Sequence, residues 1–202
     1  MNTSSTTSSL RRAFSVATVQ RSRAVEGFGV SRASLQAATR DGLLVRIGRG
    51  LYRLPNSKKI TANHTLAMVA QCVPKAVFCL LSALRFHNLT TQIPHEVYIA
   101  LPAGAWRPRL DFVSLHIAHF SSASLAEGVE SHDVEGVAIQ VFSPAKTVAD
   151  CFKFRNKLGV DVAIEALRET LNERRASPSE IAHFAKINRV SNVMRPYLES
   201  FT

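Results

Sequence analysis

The stretch Ser31-Arg-Ala-Ser-Leu-Gln-Ala-Ala-Thr-Arg-Asp-Gly-Leu-Leu-Val-Arg-Ile-Gly-Arg-Gly-Leu-Tyr-Arg-Leu54 contains, in order, a helix start, a helix stop and a hairpin. Ser31 is a good N-cap for a helix that begins at Arg32, and Val30 before it is placed to pack on Leu35 as a hydrophobic staple. Gly42 closes the helix. At about 100° per residue, Arg32, Gln36 and Arg40 fall within about 80° of one another, while Leu35 and Ala38 lie on the opposite side. One face is built to be buried, and the other carries long cationic and amide side chains able to reach base edges and phosphates in a major groove. Two β-rich runs then flank Gly48-Arg49-Gly50, which predicts a tight hairpin because glycine supplies positive φ. Arg46, Arg49 and Arg53 are spread along it, with Arg49 at the tip, where a wing meets the sugar-phosphate backbone or minor groove. A phosphate-cradling reading of the two glycines fails, since no helix starts after them. Arg32, Ser34, Gln36, Arg40, Arg46, Arg49 and Arg53 are therefore the candidate DNA-contacting residues.

The charge distribution points the same way. The chain has 202 residues and a net charge of +10, yet residues 1–60 hold 11 Lys and Arg against only Glu26 and Asp41, a net +9. The remaining residues carry 14 bases and 13 acids. A one-sided cationic field on a small module is the footprint expected for a polyanion, with nucleic acid leading, and a membrane surface or a merely solvated face as competitors. Hydrophobic residues at 46% and charged residues at 20% are ordinary for a globular chain, so disorder and collagen-like classes are excluded. The longest uncharged apolar run, Ala76 to Leu84, is about half of a membrane span. Three cysteines, Cys72, Cys79 and Cys151, form an odd set without a C-x-x-C pair, which fits a reducing cytoplasm and signals neither disulfides nor zinc.

Upstream, Thr18 is expected to cap a helix over Val19 to Glu26 that Gly27 closes, with a further short helix over Leu10 to Phe14. Residues 1–9 are almost all Ser, Thr and Asn and predict a disordered tail. Residues 1–25 lack acids and include Arg11, Arg12, Arg21 and Arg23, so a transit peptide competes with the preferred reading, a basic arm extending the DNA surface.

Downstream, Thr61 to Asn88 reads as helix, split near Pro74, with Leu66, Val69, Phe78, Leu81 and Leu84 at helical spacings. Three β-rich runs follow, Glu96 to Leu101, Phe112 to Ala118 and Val134 to Phe142. Ser143-Pro144 opens a helix, and Ser177-Pro-Ser-Glu180 opens another as a capping box. The fold class is α+β: a winged helix-turn-helix over residues 10–58, then a domain over 59–202 with a small antiparallel sheet between helical flanks.

No constellation in that second domain calls for an enzyme, a metal or a cofactor. His116-x-x-His119 lies in a strand, where a spacing of three puts the rings on opposite faces. Asp150, on the helix after Pro144, is read as the structural partner of a buried arginine or backbone donor, and Cys72 and Cys79 as small core residues in apolar helices.

Gly29-Val-Ser-Arg-Ala-Ser-Leu35 followed by Asp41-Gly-Leu-Leu-Val-Arg-Ile-Gly-Arg-Gly-Leu-Tyr-Arg-Leu-Pro55 resembles the N-terminal winged helix of the AbiEi antitoxins of type IV toxin-antitoxin systems. Leu81-Ser-Ala-Leu-Arg-Phe-His-Asn-Leu89 resembles the family's Ser-Ala-Leu helix. Val141-Phe-Ser-Pro-Ala-Lys-Thr-Val-Ala-Asp150, with Gly159-Val-Asp-Val-Ala-Ile-Glu-Ala-Leu167, resembles its C-terminal signature, so the likeness covers about residues 15–175. Arg21-Ser-Arg23 departs from the family's cleaner apolar helix. The resemblance implies a bacterial cytoplasmic autorepressor that binds operator double-stranded DNA and an antitoxin that opposes a nucleotidyltransferase-like toxin without a stable complex, with antitoxicity in the C-terminal part. Two alternatives stay open: an antitoxin acting by direct contact with the toxin, and a nucleic-acid-processing enzyme that uses the winged helix for targeting.

Overall fold

The computed structural model describes residues 3–55 and 60–201. In chain order the elements are α1 (Thr3–Val16), β1 (Val19–Arg21), α2 (Ser22–Glu26), α3 (Arg32–Arg40), β2 (Val45–Gly48), β3 (Leu51–Arg53), α4 (His64–Cys72), β4 (Val77–Phe78), α5 (Leu80–Phe86), β5 (Val97–Pro102) and β6 (Leu115–Phe120). The chain continues through α6 (Ser122–Ala126), β7 (Val129–Val134), β8 (Val137–Phe142), α7 (Pro144–Lys153), α8 (Arg155–Leu158), α9 (Val160–Asn172), α10 (Pro178–Ile187) and α11 (Ser191–Glu199). They form two compact units, and no described helix is long and apolar enough to cross a membrane.

The first unit gathers Met1–Lys75, Arg109–Val113 and His132–Ile139. Its helical core joins Leu10, Ala13 and Phe14 of α1 to Val25 of α2, Leu35 and Ala38 of α3, and Val30 and Leu44. The expected tail is therefore corrected from residue 3 onward, because the Leu10-Ala13-Phe14 stripe anchors a helix that runs back to Thr3. Met1 and Asn2 lie outside the described residues. Val19 to Glu26 is also not one helix. Val19 and Gln20 are buried in a strand that pairs antiparallel with β3, Val19 opposite Arg53 and Arg21 opposite Leu51. Gln20 Nε2 donates to Ala13 O at 3.0 Å, so the polar side chain ties strand to helix. Only Ser22–Glu26 remains helical.

A three-stranded sheet, order β1-β3-β2, forms the wing. A second small core joins its Val19 and Leu51 to Met68 of α4, with Ile47, Cys72 and Phe112 packed around it. Met68 and Phe112 explain why the division of the chain after residue 58 does not describe this unit: the wing's inner face is completed by residues beyond it. The expected boundary itself falls in 56–59, outside the described residues, as do Lys58 and Lys59.

The turn Glu135-Gly136 between β7 and β8, with φ of 59° and 81°, also belongs to the first unit. A Cβ on Gly136 would stand 1.8 Å from Val16 O, so only glycine fits. The Glu135 side chain is fully buried and accepts from Thr61 N at 2.6 Å, Thr61 Oγ1 at 3.0 Å and the Thr18 hydroxyl, with His64 Nδ1 at 2.7 Å. Burial pushes its carboxyl up, but these hydrogen bonds together outweigh burial and hold it below its ordinary range.

The second unit comprises Ala76–Pro108, Ser114–Ser131 and Gln140–Thr202. Its sheet has the order β6-β5-β4-β8-β7 and is mixed, not the small antiparallel sheet expected: β4 runs antiparallel to β5 but parallel to β8, and β5 runs parallel to β6. Two strands escape the sequence reading. The two-residue β4 hides in a segment with helical apolar spacing, where Val77 and Phe78 instead pair on both sides, and β7 carries four consecutive polar residues, Glu130 to Asp133, with no apolar alternation. The α7, α9, α10 and α11 faces pack into one core with Leu84, Phe120 and Phe142. The two helix starts are as expected. Ser143 Oγ accepts from Lys146 N, and Ser177 with Glu180 closes a reciprocal capping box.

Candidate nucleic-acid interface

The geometry of α3 follows from its ends. Ser31 Oγ accepts from Ser34 N at 3.1 Å, satisfying an orphan amide of the first turn, and the two serine hydroxyls stand 2.9 Å apart. Ser34 is thus half-buried and engaged in the cap, while Arg32, Gln36 and Arg40 point to solvent. At the other end Leu43 N and Leu44 N both donate to Ala38 O, and Gly42 takes the left-handed turn at φ +72°. Leu35 and Ala38 anchor the opposite face, so the exposed side of the helix is a fixed platform.

The two exposed arginines are each met by an acid. Arg32 Nε donates to Glu26 Oε1 at 2.9 Å, and Arg40 Nε donates to Asp41 Oδ1 at 3.2 Å. The arginine side chains remain 85% and 79% exposed, so the pairing leaves their outer edges open. Glu26 and Asp41, the only acids of residues 1–60, were visible in the charge count. Asp41 stands beside Arg40 in the sequence, but the approach of Glu26 to Arg32 was not visible, because that spacing crosses an irregular turn.

On the wing, Gly48 and Gly50 have different jobs. Gly50 has φ +68° and makes the turn. Gly48 is small because Phe112 packs 3.2 Å from where its Cβ would be. Arg49 is exposed at the tip and forms no ion pair among the described residues. Arg46 is exposed, its Nε donating to Gly48 O at 3.2 Å. Arg53 is half-buried, and its Nη1 donates to Leu54 O and Pro55 O, both at 3.0 Å, so it braces the strand end. Ser22 N donates to Gly50 O at 2.9 Å, which sets exposed Arg23 beside the wing tip. Arg23 joins the candidate surface, and its only sequence signal was membership of the basic segment.

Residues 10–55 match the AbiEi antitoxin family of transcriptional regulators. The AbiEi-matching segment contains α3, the wing and both acids, and thus the whole candidate surface. No curated protein matches the chain at a significant level. The fold is similar to the crystal structure of the RV2827C protein from Mycobacterium tuberculosis, with a TM-score of 0.54, 12% identity, and coverage of 98% of this chain and 82% of that one. At that identity the likeness is one of fold alone.

The remaining candidates each have a local partner or place in the packing. His116 stacks on Tyr98 with ring centroids 4.5 Å apart, and His119 faces Pro102 O at 3.2 Å. No group of three metal-ligating side chains converges among the described residues. Cys79 is buried as the residue before α5 rather than within a helix, and Cys72 is half-buried on α4. Asp150 does not meet an arginine. It is fully buried and paired with Lys146 one turn earlier, and Asn188 Nδ2 donates to its Oδ1 at 2.6 Å. Lys146 Nζ lies 4.5 and 4.9 Å from the ring centroids of Phe142 and Phe120, and donates to Ser124 Oγ at 3.3 Å. Burial raises the Asp150 pKa and lowers that of Lys146 despite their mutual attraction, so desolvation dominates both.

Proposed function

We propose that this protein is a sequence-specific double-stranded-DNA-binding autorepressor and an antitoxin that opposes a nucleotidyltransferase-like toxin without forming a stable complex with it. The carrying observation is the union of charge and shape in one unit: nine of the ten net positive charges lie in residues 1–60, and the exposed Arg32-Gln36-Arg40 face and the Arg49 wing tip are presented there. The match of residues 10–55 to a family of transcriptional regulators supports the same reading. Gln36 and Arg32 read base edges, and Arg40, Arg46 and Arg49 contact phosphates. The protein works in the cytoplasm, on the operator of its own operon. Antitoxicity resides in the second unit, whose side of the chain has almost no cationic excess to spend on DNA.

The test is the double charge reversal Arg32→Glu with Arg40→Glu. Both side chains are exposed, so the fold is expected to survive with stability changed by about 1 kcal/mol or less. Repression of a reporter behind the protein's own promoter should vanish, while cells expressing the toxin from an unrelated promoter are still rescued. A folded double mutant that still represses would overturn the DNA reading; one that fails to rescue would overturn the division of labour.

A further inference from the structure

We propose that Glu26 is a specificity-determining positioning residue: by holding Arg32 through Nε, it commits the two terminal nitrogens of that guanidinium to a guanine. The inference rests on the DNA-binding reading above and deepens it by naming the base. A guanidinium has two usable forks in its plane, one including Nε and one made of the two Nη groups. Glu26 Oε1 sits 2.9 Å from Arg32 Nε and occupies the first. The second faces outward on a side chain that is 85% exposed, at the N-terminal end of α3, where a groove-bound helix meets base edges. Two parallel N–H donors match the O6 and N7 acceptors of guanine and no other base's pattern in the major groove.

Stability does not explain the pair, since exposed ion pairs contribute little. An acid beside a phosphate-binding surface also weakens binding to every duplex. Yet one of the only two acids in sixty residues stands here, on a different helix from its partner and with its side chain 30% exposed, far less than the 85% of the arginine it receives. Asp41 engages Arg40 in the same Nε manner at the other end of α3, from the adjacent residue and with 51% of its side chain exposed, which makes it the natural control.

Full-length protein is used to select from a randomised duplex library, and the recovered site is titrated with each base in turn. Wild type should prefer guanine over adenine at one position by at least about tenfold. Glu26→Ala should cut that preference to about threefold or less, while Glu26→Gln, which keeps an acceptor for Nε, should retain most of it. Arg32→Lys should lose it with Glu26 in place. Glu26→Ala and Asp41→Ala each remove one negative charge and should tighten random-duplex binding alike, but Asp41→Ala should keep the guanine preference. Retention of the preference in Glu26→Ala, or its equal loss in Asp41→Ala, overturns the assignment. A wild type that binds duplex without any guanine preference overturns it too, while the DNA reading stands. A wild type that binds no duplex sinks both.

Discussion

Gln36 lies midway along the exposed face of α3 with no ion pair to satisfy, and its amide can both donate to and accept from adenine. Gln36→Ala should therefore narrow the gap between operator and random DNA by about 1 to 3 kcal/mol, read by competitive titration, with little change in non-specific affinity. Glu135 is the residue of the first unit whose effect is on stability. Its carboxyl lies below its ordinary value near 4.5, so its contribution is complete above that value and is lost as pH falls through the lower, folded-state value. Glu135→Gln should cost about 1 to 3 kcal/mol in denaturant unfolding at neutral pH, and the gap to wild type should close in acid. A gap that widened in acid would contradict the sign.

At the scale of elements, α7 shows what buried charge does to a helix. Lys146 and Asp150 are one turn apart and wholly inaccessible, so removing either strands the other. Lys146→Met should cost about 3 to 5 kcal/mol, whereas Lys146→Met with Asp150→Leu should recover much of that, as measured by chemical denaturation. The sequence placed α7 correctly because Ser143-Pro144 is a local signal, but it offered Asp150 an arginine or a backbone donor. Nothing local says that Lys146 turns inward between Phe120 and Phe142. The same divide runs through the rest of the chain. Ser31, Gly42 and the Ser177 capping box act within a few residues and were legible, as was the β2–β3 hairpin. Strand β1, the two-residue β4 and the parallel pairing of β5 with β6 are set by partners far along the chain. The Thr18 cap and Gly27 stop around Val19 to Glu26, and the helical spacing through Ala76 to Leu84, ran the expected helices across Val19–Arg21 and Val77–Phe78, which are strands, while Ser22–Glu26 and residues 80–84 are helical as expected.

For the whole molecule, the division of charge and the division of structure follow different lines. Charge changes near residue 60, whereas the first unit draws Met68, Phe112 and Glu135 from later in the chain. An excised segment of residues 10–60 would lack those contacts, so the basic surface is best measured in the intact protein. Of the candidate residues, Arg32, Gln36 and Arg40 are exposed, as a polar face opposite Leu35 and Ala38 requires, and so are Arg46 and Arg49 on the wing. Ser34 is held in the helix cap against the Ser31 hydroxyl and Arg53 on the carbonyls of Leu54 and Pro55, which residue type alone does not reveal.

The central claim, that this surface recognises a polyanion by neutralising phosphates, is tested most directly by the salt dependence of duplex binding. Each phosphate neutralised on double-stranded DNA contributes about 0.9 to the slope of log affinity against log salt. Full-length protein should bind the DNA upstream of its own operon with a slope of about −3, reflecting the phosphate contacts of Arg40, Arg46 and Arg49, and Arg49→Ala should reduce the magnitude by about 1 on operator and random duplex alike. A slope near zero, or one that Arg49→Ala and the Arg32→Glu, Arg40→Glu double mutant leave unchanged, would contradict the account.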